Sequence, residues 1–309
     1  MEWFNDIQDL EIQKSVVSVG TFDGLHQGHR IIIDKTVQKA REQDAYSVIF
    51  TFWPHPQEII LPEKKIYYLN TFQEKIDQFS KTGIDYLILF PFNHRFSQLP
   101  YQQFIKDYLV DQLKMKYFLV GYDHHFGKNR EGYFDNLTKI AKQNNFEIEK
   151  VKRQTVQGST ASSTAIRNLL KEGDVQKAND LLTYAYYLSG KIKKGKGIGK
   201  TIHFPTANIE YSHNKLIPKN GVYIGTATYK DTDYKAICNI GFNPTINQDK
   251  ELSVEVHILD FNQNIYNQDV TFTFLKRLRD EQKFDSIEIL RQQIEKDKAS
   301  CLSYFNNKK

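Results

Sequence analysis

The distribution of apolar and polar positions divides the chain into two parts of different character. In the first part, short apolar runs of buried-strand type alternate with segments of helical periodicity. The strand-like runs are residues 15–21, 46–52, 86–90 and 117–120, and the helical segments are residues 31–41, 71–81 and 102–113. This alternation predicts an α/β domain in which helices cover a parallel sheet. Because ligands of such sheets bind outside the carboxyl ends of the strands, we expect the reactive residues directly after each strand.

Around residue 185 the pattern changes to strand after strand. A helical stretch at 175–184 is followed by strand-like runs that glycine and asparagine turns separate. These runs are residues 187–192, 222–229, 234–240, 252–260 and 270–274. Such spacing predicts a small antiparallel β-barrel, and an amphipathic terminal helix at 287–298 is expected to pack against it. We therefore predict an α/β domain at residues 1–185 and an all-β domain at residues 186–309.

Composition fits a globular protein with two cores. A chain of 309 residues exceeds the size at which a single core usually stops growing. Cys238 and Cys301 lie far apart and without clustered histidines, so neither a zinc site nor a disulfide framework is indicated. We expect Cys238 in the core. The acidic start and the lack of an apolar run near the roughly 20 residues of a membrane helix predict a cytoplasmic protein without a membrane partner.

The net charge of +5 comes from the C-terminal part. Residues 186–309 hold 19 basic and 14 acidic residues, whereas residues 1–185 hold 23 of each. A surplus of this size fits a polyphosphate ligand, a nucleic acid or a solvated basic surface, of which the last is the commonest meaning. Charge alone does not distinguish the three.

The most distinctive motif follows the first predicted strand. Residues 20–29 read GTFDGLHQGH and end at a predicted helix, so His26 and His29 share one face at a helix N-terminus. Unpaired backbone N–H groups and the helix dipole favour anions there, and Gly24 and Gly28 allow a phosphate to approach closely. Imidazoles at this point can donate hydrogen bonds to a phosphate whose charge grows during nucleotidyl transfer. The alternative is that the histidines cap the helix or bind metal adventitiously.

Three further segments place polar or aromatic side chains at the ligand-binding edge. Residues 162–164 put three hydroxyls at a predicted helix start, with Arg167 one turn later. This cluster could hold a leaving pyrophosphate, or the hydroxyls could simply cap the helix. Residues 52–56 and 121–127 are aromatic-rich and each follows a predicted strand. Their alternatives are a solvated loop for the second segment and core packing for the aromatic rings.

These segments resemble the adenylyltransferase half of bifunctional prokaryotic riboflavin kinase/FAD synthetase, a Rossmann-like HxGH nucleotidyltransferase. The resemblance implies that the FMN phosphate attacks the α-phosphorus of ATP directly, with Mg²⁺ and without a covalent enzyme intermediate. It implies ATP-binding roles for Gly20, Phe22, Asp23, Gly24, His26, Gly28, His29, Ser163, Thr164 and Arg167, of which His26, His29 and Arg167 are catalytic. Flavin contacts are implied for Phe52, Pro54, Asp123 and Phe126. The chain departs from the family pattern at Ala161 and at His124 and His125.

Residues 195–201, GKGIGKT, are similar to a Walker A loop but are not one. Gly195 precedes Gly199 by three intervening residues where that motif needs four, and the nearby Pro205 discourages the helix that a P-loop opens. The segment can still be a glycine-rich flap whose amides and Lys200 cover phosphates. A plain basic loop is the alternative.

The residues after this loop suit a metal-assisted phosphoryl transfer. Thr206 and Asn208 stand two apart on a predicted extended segment, so both neutral oxygen ligands face the same way. Mg²⁺ prefers few protein oxygens together with substrate phosphates. In the strand at 252–260, Glu255 lies on the polar face. That face is either solvated or lines a pocket, in which case Glu255 could take a hydroxyl proton as the oxygen attacks a γ-phosphate.

The second part resembles the riboflavin kinase half of the same family. The resemblance implies that Gly195, Gly199 and Lys200 contact ATP, that Thr206 and Asn208 bind Mg-ATP, that Glu255 is the catalytic base on the ribityl hydroxyl, and that Arg279 and Phe284 lie near the flavin. The chain departs from the family pattern at His203, Asn243 and Asn267.

The whole sequence thus predicts an enzyme that phosphorylates riboflavin to FMN in its C-terminal domain and adenylylates FMN to FAD, with release of pyrophosphate, in its N-terminal domain. The expected partners are riboflavin, FMN and ATP with Mg²⁺; no tightly bound organic cofactor, nucleic acid or membrane is expected, and no oligomeric state is indicated. Two alternatives stay open: only the adenylyltransferase half works, or the chain is a flavin-sensing or RNA-binding regulator. Retention of His26, His29 and Glu255 in one chain argues against a regulator.

Overall fold

A computed structural model describes residues 1–8, 10–121, 134–152, 161–194, 204–242 and 252–307. By their internal contacts the residues form two compact units, Met1–Ser163 and Thr164–Lys309. On this basis the two helices that precede the barrel, at Ser163–Glu172 and Val175–Leu181, belong almost entirely to the second unit. The domain limits of 1–185 and 186–309, which follow the change in sequence pattern, stay a prediction.

The first unit is built on a six-stranded parallel sheet with strand order β1-β4-β3-β2-β5-β6. The strands are β1 (Glu2–Phe4), β2 (Ser15–Val19), β3 (Tyr46–Trp53), β4 (Tyr86–Pro91), β5 (Met115–Gly121) and β6 (Glu147–Val151). The four strands predicted from apolar runs are confirmed. The two edge strands were not predicted because β1 is only three residues long and β6 carries charged residues at partly exposed positions.

Helices cover this sheet. They are α1 (Gln27–Glu42), α2 (Pro56–Ile60), α3 (Phe72–Ser80), α4 (His94–Ser97), α5 (Tyr101–Gln103) and α6 (Phe134–Asn144). The helix predicted at 102–113 is present, but from Phe104 to Gln112 it is a π-helix. Phe104, Ile105 and Leu109 are its buried positions, and Phe104 and Leu109 are five residues apart, which suits the wider π turn.

The strand order locates the ligand-binding crevice. From β2 the chain crosses through α1 to β3 on one side, whereas β5 pairs with β2 on the other side. The order of strands therefore reverses between β2 and β5, and ligands of open α/β sheets bind outside the carboxyl ends of the strands at such a point. Residues 20–26, which hold part of the histidine motif, leave β2 at this place.

The second unit is a closed antiparallel barrel with strand order β10-β11-β8-β7-β12-β9. The strands are β7 (Tyr187–Lys193), β8 (Ala207–Glu210), β9 (Gly221–Tyr229), β10 (Thr232–Phe242), β11 (Leu252–Ile258) and β12 (Asp269–Arg279). Two helices, α7 (Ser163–Glu172) and α8 (Val175–Leu181), precede it. The antiparallel barrel expected from the sequence is confirmed.

A terminal helix, α9 (Ile287–Asn306), packs on the barrel and extends eight residues beyond its predicted end at 298. Its Cys301 is buried against Val222, Ile224 and Ile237. Cys238 lies fully buried in β10, as predicted. Within the described ranges, the structure contains no helix with the length and apolarity needed to cross a membrane.

Candidate active sites

The loop between β2 and α1 makes a tight turn that depends on one glycine. Phe22, Gly24 and Leu25 have φ angles of 44°, 85° and 36°, which lie in the left-handed region. A Cβ on Gly24 would stand 2.6 Å from the Cδ1 atom of Leu69. Glycine is therefore required at this position by both conformation and space. The turn brings His26 to the N-terminus of α1.

The two histidines of the motif stack on each other at the helix N-terminus. Their ring centroids are 3.6 Å apart with an interplanar angle of 17°. His26 is the N-cap of α1, and its Nδ1 accepts a hydrogen bond from the backbone N–H of His29 at 3.3 Å. Because Nδ1 is an acceptor, neutral His26 carries its proton on Nε2. His26 therefore does cap the helix, as the alternative interpretation of the motif expects. The capping hydrogen bond leaves the Nε2–H group of neutral His26 available to a phosphate ligand.

His29 is held as a neutral imidazole. Burial lowers its pKa well below the usual value, and the neighbouring His26 and the positive charge of Lys75 lower it further. Its Nδ1 atom is buried and has no hydrogen-bond partner among the described residues. A buried polar atom without a partner is costly unless a ligand or water completes its hydrogen bond. The ring also contacts Phe22, whose centroid is 5.1 Å away.

Other predicted ATP-binding residues gather around the same turn. Ser163 Oγ donates a hydrogen bond to the backbone oxygen of Asp23 at 2.8 Å. The Asp23 carboxylate accepts one from the backbone N–H of Leu69 at 3.2 Å. A Cβ on Gly28 would lie 3.2 Å from the ring of His26, so glycine keeps this position open. Gly20 directly follows β2 and packs against the ring of Phe22.

Two predicted phosphate ligands lie on a different unit. Thr164 and Arg167 are in α7, which groups with the barrel from Thr164 onward. Their participation in the ATP site stays a prediction.

The residues predicted to contact flavin in the first unit have mixed positions. Phe52 is 9% exposed and packs against Phe50 and Phe92, with centroid distances of 5.5 and 5.4 Å. It is part of the core, and its flavin role stays a prediction. Pro54 follows β3 directly after Trp53. Asp123 and Phe126 lie outside the described residues.

In the barrel, strand pairing aligns the predicted kinase residues in one row. Glu255 of β11 stands opposite Asn208 of β8 and Asn239 of β10. Asn239 is opposite Val222 of β9, which in turn pairs with Arg279 of β12. Residues directly opposite each other in an antiparallel sheet share a face. The structure thus brings Asn208, Glu255 and Arg279 to the same face of the barrel wall.

Thr206 joins this row just before β8. Its Oγ1 donates a hydrogen bond to Glu255 Oε2 at 3.2 Å. Thr206, Asn208 and Glu255 therefore form one cluster of oxygen and carboxylate groups. Oxygen donors of this kind suit a hard divalent cation that also binds substrate phosphates. Among the described residues, no cluster of three or more histidine, cysteine or acidic side chains could bind a metal instead.

A cavity of about 310 Å³ has Thr206 of this cluster in its lining, but not Asn208 or Glu255. Val256 and Ile258 of its wall lie on the opposite face of β11 from Glu255. Thr206 and Ala207 form one side, the apolar side chains of Val256 and Ile258 form another, and residues 261–266 close it. Gly195, Gly199, Lys200, His203 and Asn243 lie outside the described residues. Asn267 adopts a φ of 60°, a left-handed conformation that asparagine tolerates better than most residues, so it can stand where the family has glycine.

Arg279 and Phe284 lie close together, and their position beside the flavin stays a prediction. The guanidinium carbon of Arg279 lies 5.9 Å from the Phe284 ring centroid. Its Nε and one terminal nitrogen bind the carboxylate of Asp297 in α9 at 3.0 and 2.7 Å. Gln293 donates to the same carboxylate at 2.9 Å. Asp297 thus fixes a residue predicted to lie beside the flavin.

Sequence reasoning missed Lys75 and the role of Asp297. Lys75 is 4% exposed and hydrogen-bonds the loop of the histidine motif. The sequence did indicate that Lys75 is unusual, because it lies on the apolar face of α3 that Phe72, Ile76 and Phe79 form at helical spacing. For Asp297 the signal was an acidic residue on the predicted inner face of the last helix.

Comparison with known protein families divides the chain in the same way as the two sites. The FAD synthetase family model matches residues 8–165, and the riboflavin kinase family model matches residues 182–305. The first range contains the histidine pair and the second contains the Thr206–Glu255 cluster.

Whole-chain relatives combine both parts. A bifunctional riboflavin kinase/FMN adenylyltransferase from Listeria monocytogenes is 36% identical over 94% of this chain and 92% of its own length. The protein of that description from Bacillus subtilis is 35% identical over 96% of this chain and 94% of its own. A crystal structure from Streptococcus pneumoniae, described as a macrolide-efflux protein, is 28% identical and matches with a TM-score of 0.88 over 96% of this chain and 97% of that one. The chain belongs to the bifunctional riboflavin kinase/FMN adenylyltransferase family.

Proposed function

We propose that the barrel unit phosphorylates riboflavin to FMN and that the α/β unit adenylylates FMN to FAD, each with ATP. Family membership supports both activities. The observation that supports the assignment of sites is that His26 and His29 stack at a helix N-terminus in the first unit, whereas Thr206, Asn208 and Glu255 cluster in the second. The chain is thus a transferase with two active sites. Riboflavin, FMN and ATP are its small-molecule substrates, and the cytoplasmic location stays a prediction.

In the kinase reaction, Glu255 acts on the ribityl hydroxyl of riboflavin. Its carboxylate accepts the hydroxyl proton while the oxygen forms a bond to the γ-phosphorus of ATP and the bond to the β-phosphate oxygen breaks, releasing ADP. Thr206, which donates to Oε2, orients the carboxylate. Thr206 and Asn208 would hold Mg²⁺ together with ATP, and the cation would supply charge neutralisation at the transferred phosphate. The neighbouring 310 Å³ cavity, with its apolar walls, receives the nucleoside part of ATP.

Flavin recognition by the barrel is supported by the position of Arg279 and Phe284. The cation and the ring lie together, and Asp297 removes most of the conformational freedom of the guanidinium. The flap residues Gly195, Gly199 and Lys200 are proposed to cover the ATP phosphates because backbone amides and lysine suit that role.

In the adenylyltransferase reaction, an oxygen of the FMN phosphate attacks the α-phosphorus of ATP and pyrophosphate leaves. The rings of His26 and His29 donate hydrogen bonds to the phosphate as its charge increases, and the N-terminus of α1 adds its dipole. Thr164 and Arg167 bind the leaving pyrophosphate. Flavin contacts are assigned to Phe52, Pro54, Asp123 and Phe126.

Two variants of the full chain test this division. Glu255→Gln is expected to slow riboflavin phosphorylation by about 10²–10⁴-fold, the usual contribution of a general base, and to leave FAD formation from supplied FMN unchanged. His29→Asn is expected to have the opposite effect. Flavins are separated by chromatography after incubation with ATP and Mg²⁺.

Matched controls exclude nonspecific effects. Glu210→Gln changes a carboxylate of neighbouring strand β8 that pairs with Lys193 at the surface, and His94→Asn changes an exposed histidine of α4. Both controls should retain both activities. Loss of both activities from Glu255→Gln or from His29→Asn would contradict two separate sites.

A further inference from the structure

A buried lysine of α3 holds Thr21, the second residue of the loop between β2 and α1 that carries the histidine motif. The Lys75 ammonium donates hydrogen bonds to the backbone oxygen of Thr21 at 2.6 Å and to Thr51 Oγ1 at 2.9 Å. Thr51 Oγ1 donates to the same Thr21 oxygen at 3.1 Å. Thr21 begins the turn that leads from β2 to His26. The lysine and the threonine together therefore fix the point from which this turn starts.

The charge of Lys75 acts on the same site. Burial lowers its pKa to about 8, and the negative charge of Asp23 partly opposes this effect. The amine is thus protonated at neutral pH. Its positive charge contributes to lowering the pKa of His29, which favours the neutral imidazole. A cation beneath the N-terminus of α1 also adds to the attraction of that terminus for a polyphosphate.

The helices, strands and loops that pack around Lys75 place polar groups near its ammonium, but few of these groups are charged. The β2–α1 loop contributes Asp23, whose carboxylate also binds the backbone of Leu69. Helix α1 contributes His29, and β3 contributes the uncharged Thr51. On its own helix, Glu74 is engaged with the backbone N–H of Thr71 at 2.8 Å. The ammonium therefore faces one carboxylate and one neutral imidazole.

We propose that Lys75 is a positioning residue of the adenylyltransferase site, which fixes the Thr21 carbonyl and supplies the buried positive charge behind the histidine pair. It does not touch the reacting atoms and acts through the loop and the field at the helix N-terminus. The inference rests on the proposed function of the first unit. A lysine with only a structural role would change stability without a selective change in ATP use.

The test is steady-state kinetics of FAD formation by the full-length Lys75→Met variant, with riboflavin phosphorylation by the same sample as the internal reference. We expect the KM for ATP in FAD formation to increase by about tenfold or more near pH 7, as for loss of one hydrogen bond to a charged group, while riboflavin phosphorylation is unchanged. In the parent protein that KM should rise as pH increases through about 8, where Lys75 loses its proton. The variant should lack this rise.

Two controls separate the contributions. Lys14→Met removes another lysine that bonds a backbone carbonyl, that of Gln43, and it lies before β2 at the opposite edge of the sheet. This variant should keep the parent KM and its pH dependence. Thr51→Val removes the hydroxyl but retains the ammonium, so its KM should keep the rise above pH 8.

The outcomes distinguish this inference from the proposed function. An unchanged KM for ATP and an unchanged pH profile in Lys75→Met, with FAD formation still abolished by His29→Asn, would overturn the role of Lys75 alone. An active His29→Asn variant would overturn the proposed site itself. If Lys75→Met lost riboflavin phosphorylation as well, the lysine would be needed for general folding and the positioning role would be refuted.

Discussion

The ion pair between Arg279 and Asp297 should contribute much more to the stability of the barrel than the nearby ion pair between Arg277 and Asp280. The side chains of Arg279 and Asp297 are only 18% and 7% exposed. Asp297→Asn would leave the guanidinium charge largely buried without its partner. Removal of one partner from a buried ion pair costs about 3–5 kcal/mol of unfolding free energy. For a unit of this size, that corresponds to a decrease of about 6–20 °C in the midpoint of thermal inactivation.

Asp280→Asn is the matched control. Asp280 binds Arg277 at 2.7 Å, and this carboxylate is 72% exposed, although the Arg277 side chain is only 20% exposed. Arg277 also donates a hydrogen bond to the backbone oxygen of Asn220 at 2.6 Å, which remains when Asp280 is replaced. Water screens such a pair, so this variant should inactivate close to the temperature of the parent. Both substitutions replace a carboxylate with an amide, and they differ mainly in how deeply that carboxylate is buried.

The assay heats the full-length protein and measures both activities in each sample. Asp297→Asn should lose riboflavin phosphorylation at a lower temperature than the parent, whereas FAD formation from FMN should be lost at the parent temperature. At 25 °C the variant should also have a higher KM for riboflavin, since Arg279 is no longer fixed beside Phe284. Equal midpoints for the Asp297→Asn and Asp280→Asn variants would refute the reasoning from burial.

Three further outcomes are expected. Between about pH 8 and 10.5, native Lys75 has lost its proton whereas the lysine of the unfolded chain keeps it. The free energy of unfolding, measured by denaturant titration, should therefore rise with pH by up to about 3 kcal/mol more in the parent than in Lys75→Met. The same rise with pH in both proteins would contradict the burial of the Lys75 ammonium. Gly24→Ala should slow FAD formation and destabilise the first unit by about 1–3 kcal/mol, because alanine meets both a φ of 85° and Leu69; parent-like unfolding would contradict the tight turn. A chelator should stop both reactions and added Mg²⁺ should restore them, whereas metal-independent turnover would exclude the cluster at Thr206 as a metal site.

The sequence could predict the fold because both periodicities are strong in this chain. Parallel strands buried on both faces appear as apolar runs, and the barrel strands appear as repeated short segments between turns. The π-helix at Phe104–Gln112 was predicted only as an ordinary helix, since five-residue spacing over two turns is hard to distinguish from helical periodicity. The edge strand Glu147–Val151 has no apolar run because only its last residue is buried, and the other positions can therefore be charged.

The sites were predictable where a local pattern or the family resemblance marks the residues. His26 and His29 were identified from their spacing in one motif, and the structure stacks their rings. Thr206 and Glu255 were identified from two separate strand patterns and the resemblance, and the structure joins them by a hydrogen bond. Lys75 could not be assigned this way, because its contact with Thr21 joins residues 54 positions apart and depends on how α3 packs beside β2. Long-range contacts of this kind follow from the tertiary fold.

The central claim is that one chain converts riboflavin to FMN and then FMN to FAD. The most direct measurement is a time course in which purified full-length protein is incubated with riboflavin, ATP and Mg²⁺ and the flavins are separated by chromatography. The account predicts that FMN accumulates first and that FAD then appears at its expense. Failure to convert riboflavin while added FMN becomes FAD would show that the barrel is inactive, and failure of both conversions would contradict the account.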